Sequence, residues 1–275
     1  MPRPPHITRV REYPLHPLCG RHLVLDRRSL NHTTPEIDPA KLRPVEWMPK
    51  VPILDQSNLD AQGIDVAQLL PGAPAAKELG SCTGNGATYA LSAVLDSGRL
   101  EEIGLHTSDS VAAEEFAIRW YSGGTQEDQW RDVEYPVTDC GSSGLGVSRY
   151  GKARGWFDNY RTATSALGVL SALQTGPVIL GLPWHRQFFE PDHNGFIDSA
   201  GWERSPLDGG HEVCGAVLET LRLTSGGDVD LDRTVLALPN SWSPSWGIDG
   251  WFRMRLSTYQ TLRREVDVYQ FRLAA

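Results

Sequence analysis

The spacing of apolar residues along the chain changes character near residue 176. Before that point they recur at intervals of three and four, which places side chains on one face of a helix. The clearest stripe follows Cys82 and consists of Ala87, Ala90, Leu91, Val94 and Leu95. The pattern therefore predicts a helix from Cys82 that is closed by Gly98. Further helices are predicted over Val111–Tyr121, about Leu145–Arg154 and about Leu167–Gln174.

The second half of the chain predicts strands rather than helices. Short apolar segments are separated there by Gly, Pro, Asn and Asp, which is the pattern of strands joined by turns. The predicted strands are Val178–Leu180, Glu212–Leu223, Thr234–Leu238, Trp251–Leu256 and Val266–Leu273. Helices followed by strands indicate an α+β fold with two segregated layers or lobes.

Residues 1–45 differ from both halves. They are rich in Pro, Arg and His and lack sustained periodicity, so we expect an extended arm with a short strand and turn within Gly20–Arg28. Residues 46–275 form the predicted main domain. Its helical lobe is expected over about 76–175 and its β-rich lobe over about 176–275.

Charge and composition argue against several classes of protein. The 275 residues carry a formal net charge of -8, which disfavours a nucleic-acid partner because phosphate binding needs clustered Lys and Arg. No stretch approaches the roughly 18 apolar residues of a membrane helix, and no secretory signal follows Met1. We expect a protein that begins in the cytoplasm and has no membrane partner, with virion association left open.

The four cysteines are Cys19, Cys82, Cys140 and Cys214. They form no C-x-x-C pair, and the sequence has neither a His/Cys cluster with ligand spacing nor a phosphate-binding loop. We therefore expect no metal site and no other cofactor. The wide spacing of the cysteines does not resemble a disulfide framework, and we expect reduced thiols.

Cys82 occupies the first turn of the predicted helix, within the segment Leu79-Gly80-Ser81-Cys82-Thr83-Gly84-Asn85. Unpaired N–H groups and the positive end of the helix dipole favour a thiolate there, and a thiolate is a nucleophile. The alternative for a lone cysteine is packing as a small buried hydrophobe.

His211 follows two glycines at the start of a predicted strand, in Asp208-Gly209-Gly210-His211. A strand at this point would hold the imidazole rigidly, as proton transfer requires. A lone histidine is more often a surface residue or a hydrogen-bonded core residue. The other seven histidines lie in less specific contexts.

Asn240 lies in the segment Leu238-Pro239-Asn240-Ser241-Trp242. Its side-chain oxygen can accept a hydrogen bond from one imidazole nitrogen and so direct the other nitrogen toward a thiol. Trp242 could shield that hydrogen bond from water. Taken alone, the segment is typical of a turn at the end of a strand.

Together, the three segments resemble the motifs of the papain-like cysteine peptidases. Gly80-Ser81-Cys82, Gly209-Gly210-His211 and Asn240-Ser241-Trp242 occur in the family's order, with His and Asn far downstream of Cys. The tail, Trp246-Gly247 followed by Gly250-Trp251-Phe252, is also similar, and the resemblance covers residues 45–256. Because Thr83 follows the cysteine, the first segment is most similar to the bacterial and phage branch.

The resemblance implies a two-lobed fold with the active site in the cleft between the lobes. A helical lobe would carry Cys82, and a β-rich, barrel-like lobe would carry His211 and Asn240. It also implies that a peptide or protein substrate is hydrolysed at a peptide or amide bond through a covalent thioester, with His211 as the base.

The family's oxyanion-hole glutamine is absent from its usual place before the nucleophile, where this chain has Ala76. Val51-Pro52-Ile53-Leu54-Asp55-Gln56 is similar to the family's approach to that glutamine. We therefore infer an insertion of about twenty residues between Gln56 and Glu78, and we expect Gln56 to be the catalytic oxyanion donor. The alternatives are Gln62 and Gln68 within the insertion.

Gly141 and Ser142 lie where family members have a glycine-bearing strip that pairs with the substrate backbone. We expect both residues, together with Trp242, to contact substrate. The alternative for the strip is an ordinary turn that caps the next helix.

Two other functions stay open at this point. A papain-like module without activity, acting as a binding or structural component of a phage particle or larger assembly, is favoured by the displaced glutamine. Transglutaminase-like acyl transfer also uses Cys and His, but it prefers Asp where this chain has Asn240.

Overall fold

The computed structural model describes residues 4–273. Among these residues, seven of the eight α-helices lie before residue 176. The helices are α1 (Leu59–Gln62), α2 (Val66–Leu69), α3 (Cys82–Val94), α4 (Ser97–Glu102), α5 (Ser110–Glu127), α6 (Gly144–Ala153) and α7 (Ala166–Leu173), and a late helix, α8, covers Leu256–Leu262. Among residues 4–273, no helix has the length and hydropathy needed to cross a membrane.

The strands form one hairpin and two four-stranded antiparallel sheets. They are β1 (Ile7–Arg11), β2 (Leu23–Asp26), β3 (Val45–Glu46), β4 (Asn159–Thr162), β5 (Val178–His185), β6 (Leu207–Gly215), β7 (Val217–Thr220), β8 (Val235–Pro239), β9 (Trp251–Arg255) and β10 (Asp267–Arg272). The hairpin pairs β1 with β2, and the sheets have the orders β4-β10-β5-β6 and β3-β7-β8-β9. Both sheets are open, and the described residues form no closed barrel.

The predicted α+β order is confirmed. α5 and β5 extend six and five residues beyond their predicted ends, and three other boundaries also differ. The helix that begins at Cys82 ends at Val94, because the Asp96 carboxylate caps a new helix by accepting from the Arg99 amide. Gly98 therefore lies inside α4 rather than closing α3. The predicted strand Glu212–Leu223 is two strands, separated at Ala216.

The third difference concerns His211. The sequence places it at the start of a strand, whereas β6 begins four residues earlier, at Leu207. The sequence pattern did not predict the start of β6 because positions 209 and 210 are glycines, and glycine is disfavoured in strands. A Cβ at Gly210 would overlap the Arg21 carbonyl oxygen, so glycine is needed there for the close approach of another segment.

The two halves pack against each other along α3. The apolar core around this helix includes Ala87, Ala90 and Leu91 from α3, and it also takes in Ile179 from β5 and Cys214 from β6. A second core lies within the strand-rich half, around Leu180, Trp184 and Phe252. The fragment 57–77 contributes Leu59, Ile64 and Val66 to a third core, which it shares with Ile118 and Tyr121 of α5.

Candidate active site

Cys82 is the first residue of α3, as the sequence predicts. The preceding residue, Ser81, makes no side-chain capping hydrogen bond, so its hydroxyl does not occupy a backbone amide of the first helical turn. The Cys82 side chain is fully buried. Its Sγ atom accepts a hydrogen bond from the Gly20 backbone amide at 3.4 Å.

Burial dominates the electrostatics of the Cys82 sulfur. Loss of solvent raises the pKa of Cys82 from its ordinary 9.0 to about 12, although the backbone amides of Glu212 and Gly20 act on the sulfur to lower it. Cys82 is therefore a neutral thiol at pH 7 in this conformation. The helix end alone favours a thiolate, whereas the desolvation of the sulfur arises only from tertiary packing.

His211 lies within β6, and it contacts Asn240, which directly follows β8. His211 Nε2 lies 2.7 Å from Asn240 Oδ1, and the Ser241 backbone amide donates to the same Oδ1 at 2.9 Å. An atom that accepts from an amide must be the oxygen, so Nε2 carries the proton of a neutral imidazole. Nδ1 then has a free lone pair, and it has no hydrogen-bond partner among residues 4–273.

The imidazole is held neutral by its surroundings. Burial lowers the pKa of His211 from 6.5 to about 3, outweighing the hydrogen bond to Asn240, which raises it, and the nearby His16 lowers it further. Trp242 lies over the ring with a centroid distance of 4.5 Å, and Trp184 meets it edge-on at 4.7 Å. Both indoles pack against the imidazole, and His211 and Asn240 are buried.

Gln56 lies beside the segment that leads into α3. Its Nε2 donates to the Leu79 carbonyl at 2.8 Å, and its Oε1 accepts from the Ser241 hydroxyl at 2.7 Å. The Leu79 backbone amide also donates to the Gln56 carbonyl at 3.1 Å, so the chain returns to Gln56 after a detour of more than twenty residues. The side chain is fully buried and connects the nucleophile segment to the residue after Asn240.

The amide groups of the two alternative glutamines are hydrogen-bonded to other partners. Gln62 lies on α1, where its amide group donates to the carbonyls of Asp55 and Asn58. Gln68 lies on α2, is exposed, and donates to Asp65.

Gly141 and Ser142 lie against the N-terminal arm, with which Ser142 pairs through its backbone. Ser142 donates its amide to the Gly20 carbonyl at 2.7 Å and accepts from the His22 amide at 2.7 Å. Gly141 has a positive φ of 68°, and a Cβ there would lie 2.9 Å from the Gly20 carbonyl carbon. Glycine is therefore required at 141 by both the backbone conformation and the close approach.

Residues 13–22, which we name the arm segment, have no role in the site that the sequence predicts. In the structure this segment runs between the strip at Ser142 and strand β6, where the Arg21 amide donates to the Gly210 carbonyl at 2.9 Å. Trp242 Nε1 donates to the Leu18 carbonyl of the same segment at 3.2 Å. The isolated glycine at position 20 was the available signal, because a glycine within an extended segment often marks close backbone approach.

The sulfur and the imidazole do not form a hydrogen bond with each other among the described residues. The Cys82 sulfur accepts a hydrogen bond from the Gly20 amide, and the His211 Nδ1 atom has no hydrogen-bond partner among residues 4–273. At the interface between the two halves, Gln56 links the segment before Cys82 to the residue after Asn240, and Asn240 is hydrogen-bonded to His211. The arm segment covers that interface.

The solved structures that are similar to this chain include cysteine proteases. Xylellain, a cysteine protease from Xylella fastidiosa, is 17% identical with a TM-score of 0.50, over 98% of this chain and 99% of that one. Digestive procathepsin L 3 from Tenebrio molitor larval midgut is 14% identical with a TM-score of 0.48, over 88% of this chain and 74% of that one. The bromelain protease from Ananas comosus, in complex with the E64 inhibitor, is 12% identical with a TM-score of 0.41, over 84% and 99%.

No protein-family model and no curated protein sequence matches the chain. At the identity to xylellain, the likeness establishes the fold alone.

Proposed function

We propose that this chain, whose fold is that of the papain-like cysteine proteases, is a cysteine peptidase that is held latent by its own N-terminal arm. Cys82 is the nucleophile, His211 the base and Asn240 the residue that orients the base. The observation that carries the proposal is the 2.7 Å bond between His211 Nε2 and Asn240 Oδ1, which leaves the Nδ1 lone pair available. The backbone amide of the next residue, Glu212, acts to lower the pKa of the Cys82 thiol.

In the reaction, His211 Nδ1 takes the proton from Cys82 Sγ, and the sulfur attacks the carbonyl carbon of the substrate. The resulting oxyanion accepts hydrogen bonds from the Cys82 amide and from the second Nε2 proton of Gln56, whose first proton is used by Leu79. The C–N bond then breaks as His211 returns its proton to the leaving amine. Water, deprotonated by His211, hydrolyses the thioester and frees the thiol.

The arm segment must leave before a substrate can enter. It hydrogen-bonds the sulfur through Gly20, and it also uses both backbone groups of Ser142, which the sequence analysis expects to pair with substrate. Its departure would bring solvent to Cys82 and lower the pKa of the thiol from about 12 toward its ordinary value. The same step activates the nucleophile and opens the binding strip.

A second candidate function is a papain-like module without activity, in which the arm segment stays in place permanently. The neutral, fully buried thiol and the lack of a bond between Cys82 and His211 favour it. The two candidates differ in whether the folded protein ever exposes a reactive sulfur.

The experiment that tests the proposal is alkylation of the folded full-length chain by a peptidyl epoxide, followed by mass spectrometry of the modified residue. We expect slow modification at Cys82 alone, and none in Cys82→Ala. Cys214→Ala is the matched control, because Cys214 is an equally buried thiol on β6, and it should be labelled like the unchanged protein. Absence of labelling between pH 5 and 8, even after the arm segment is loosened as described in the Discussion, would favour the inactive module.

A further inference from the structure

The Arg21 side chain fills a buried chamber at the centre of the interface. We name this chamber the Arg21 pocket, and its walls are Gly144, Gly181, Glu212 and Asp267. The Arg21 side chain is fully buried, and its Nη2 atom donates to Asp267 Oδ1 and to the Glu265 carbonyl at 3.1 Å.

The charges in the Arg21 pocket are not fully paired. Asp267 Oδ2 and both carboxylate oxygens of Glu212 have no hydrogen-bond partner among residues 4–273, and neither do Arg21 Nε and Nη1. Burial raises the pKa of Glu212, as does the neighbouring Asp267 carboxylate, while Arg21 lowers it. Two buried carboxylates therefore face one guanidinium, and without a cation they would face each other.

Two glycines keep the volume of the pocket open. A Cβ at Gly181 would lie 2.8 Å from Glu212 Oε2 and would overlap Arg21 Nε. A Cβ at Gly144 would lie 2.9 Å from both Asp267 Oδ2 and Glu212 Oε1. Any larger residue at either position would displace the guanidinium or a carboxylate.

The pocket lies close to the nucleophile. Arg21 is the neighbour of Gly20, whose amide contacts Cys82 Sγ at 3.4 Å. The Arg21 backbone amide donates a hydrogen bond to the Gly210 carbonyl, and the residues before and after Arg21 are hydrogen-bonded to the Ser142 backbone. A peptide that follows this backbone path in place of the arm segment would present one side chain to the same two carboxylates.

We infer that the Arg21 pocket is the site for an arginine side chain of the substrate peptide, and that Arg21 occupies it as an internal substitute. The inference rests on the proposed function and specifies its substrate class. Arginine fits better than lysine, because a planar guanidinium offers several donors in a fork and two carboxylates can share them. The Tyr13 ring, 5.3 Å from the guanidinium carbon, belongs to the arm segment and would leave with it.

The first test measures binding to the pocket without catalysis. In the full-length Arg21→Ala variant, millimolar methylguanidinium chloride should raise the melting temperature in a saturable manner, whereas N-methylurea, at matched ionic strength, should not. The effect should disappear when Glu212→Gln and Asp267→Asn are added. Equal shifts with methylurea, or a shift that survives the two carboxylate substitutions, would overturn the inference and leave a purely structural ion cluster.

The second test uses the full-length chain with Arg21 intact, and so does not depend on the folding of the alanine variant. Fluorogenic peptides carry arginine, or its neutral isostere citrulline, at either of the two residues before the cleaved bond. We expect kcat/KM for the better arginine peptide to exceed that of its citrulline counterpart about 50-fold, and Asp267→Asn to reduce this ratio to below about fivefold. Hydrolysis of the arginine and citrulline peptides at equal rates would refute the pocket while leaving the peptidase proposal intact. Absence of any reaction at Cys82 would refute the peptidase proposal. In that case the melting-temperature measurement would still decide whether the pocket binds a guanidinium group.

Discussion

Replacing Gly20 by alanine should open the cleft. A Cβ at this position would overlap the Gly80 carbonyl oxygen, and it would lie 2.6 Å from the Gly80 carbonyl carbon and 2.8 Å from its Cα. All three are backbone atoms of the segment that leads to Cys82, so no side-chain rotation relieves the clash. The arm segment must shift away from the nucleophile.

The size of the effect follows from the hydrogen bonds that the shift breaks. Gly20 donates to Cys82 Sγ at 3.4 Å, Ser142 donates to the Gly20 carbonyl at 2.7 Å, and Arg21 donates to the Gly210 carbonyl at 2.9 Å. At about 1 kcal/mol each, their loss lowers the free energy of opening by about 3 kcal/mol. Since 1.4 kcal/mol is tenfold in population, the open state should become roughly one hundred times more abundant.

The assay is the alkylation rate of Cys82 by iodoacetamide at pH 7, since only the open state exposes the sulfur. Gly20→Ala should react roughly one hundred times faster than the unchanged chain. Gly98→Ala is the matched control, because its new Cβ meets only an ordinary contact with Asp96 Oδ1 at 3.4 Å. Trypsin cleavage after Arg21 reports arm release independently. If cleavage accelerates in Gly20→Ala while the Cys82 rate stays within threefold, the arm segment does not control access to the thiol.

Three further results are expected. Asn240→Ala removes the acceptor that orients His211, so kcat/KM for a fluorogenic peptide should fall at least about tenfold with KM little changed, and an unaltered kcat would contradict the orienting role. Gln56→Ala removes an oxyanion donor and should lower kcat about one hundredfold, in addition to a loss of about 1 to 3 kcal/mol in the free energy of unfolding because the Ser241 hydroxyl loses its acceptor. The pKa of His211 is about 3 in the folded chain and has an ordinary value of 6.5. Between these two pH values the imidazole is protonated in the unfolded chain but neutral in the folded chain. The free energy of unfolding therefore decreases as pH falls from 6.5 toward 3. Urea unfolding should show that the unchanged chain loses about 2 to 3 kcal/mol more than His211→Gln between about pH 7 and pH 4.5, and parallel losses would refute the buried neutral imidazole.

Local pattern was sufficient for most of the helices and strands. The predicted helix Leu145–Arg154 is observed as Gly144–Ala153, and Leu167–Gln174 as Ala166–Leu173. Helical periodicity is set by residues three and four apart, so it is readable from the chain itself. The break after Val94 was missed because it depends on a single capping carboxylate, that of Asp96.

The chain by itself determined the α+β order and the three segments that hold Cys82, His211 and Asn240. It also indicated that the chain returns from Gln56 to the nucleophile segment, since both flanks of the inserted fragment keep their patterns. The pKa of the Cys82 thiol could not be predicted from the sequence, because desolvation depends on every group packed around the sulfur.

Only the tertiary structure decided what covers Cys82 and what surrounds Arg21. The arm segment reaches the nucleophile by pairing Gly20 and His22 with Ser142, a contact between residues about 120 positions apart. The Arg21 pocket likewise brings Glu212 and Asp267 together from two strands on opposite sides of β5. Neither arrangement leaves a periodic trace, because each depends on long-range backbone pairing rather than on the local spacing of residue types.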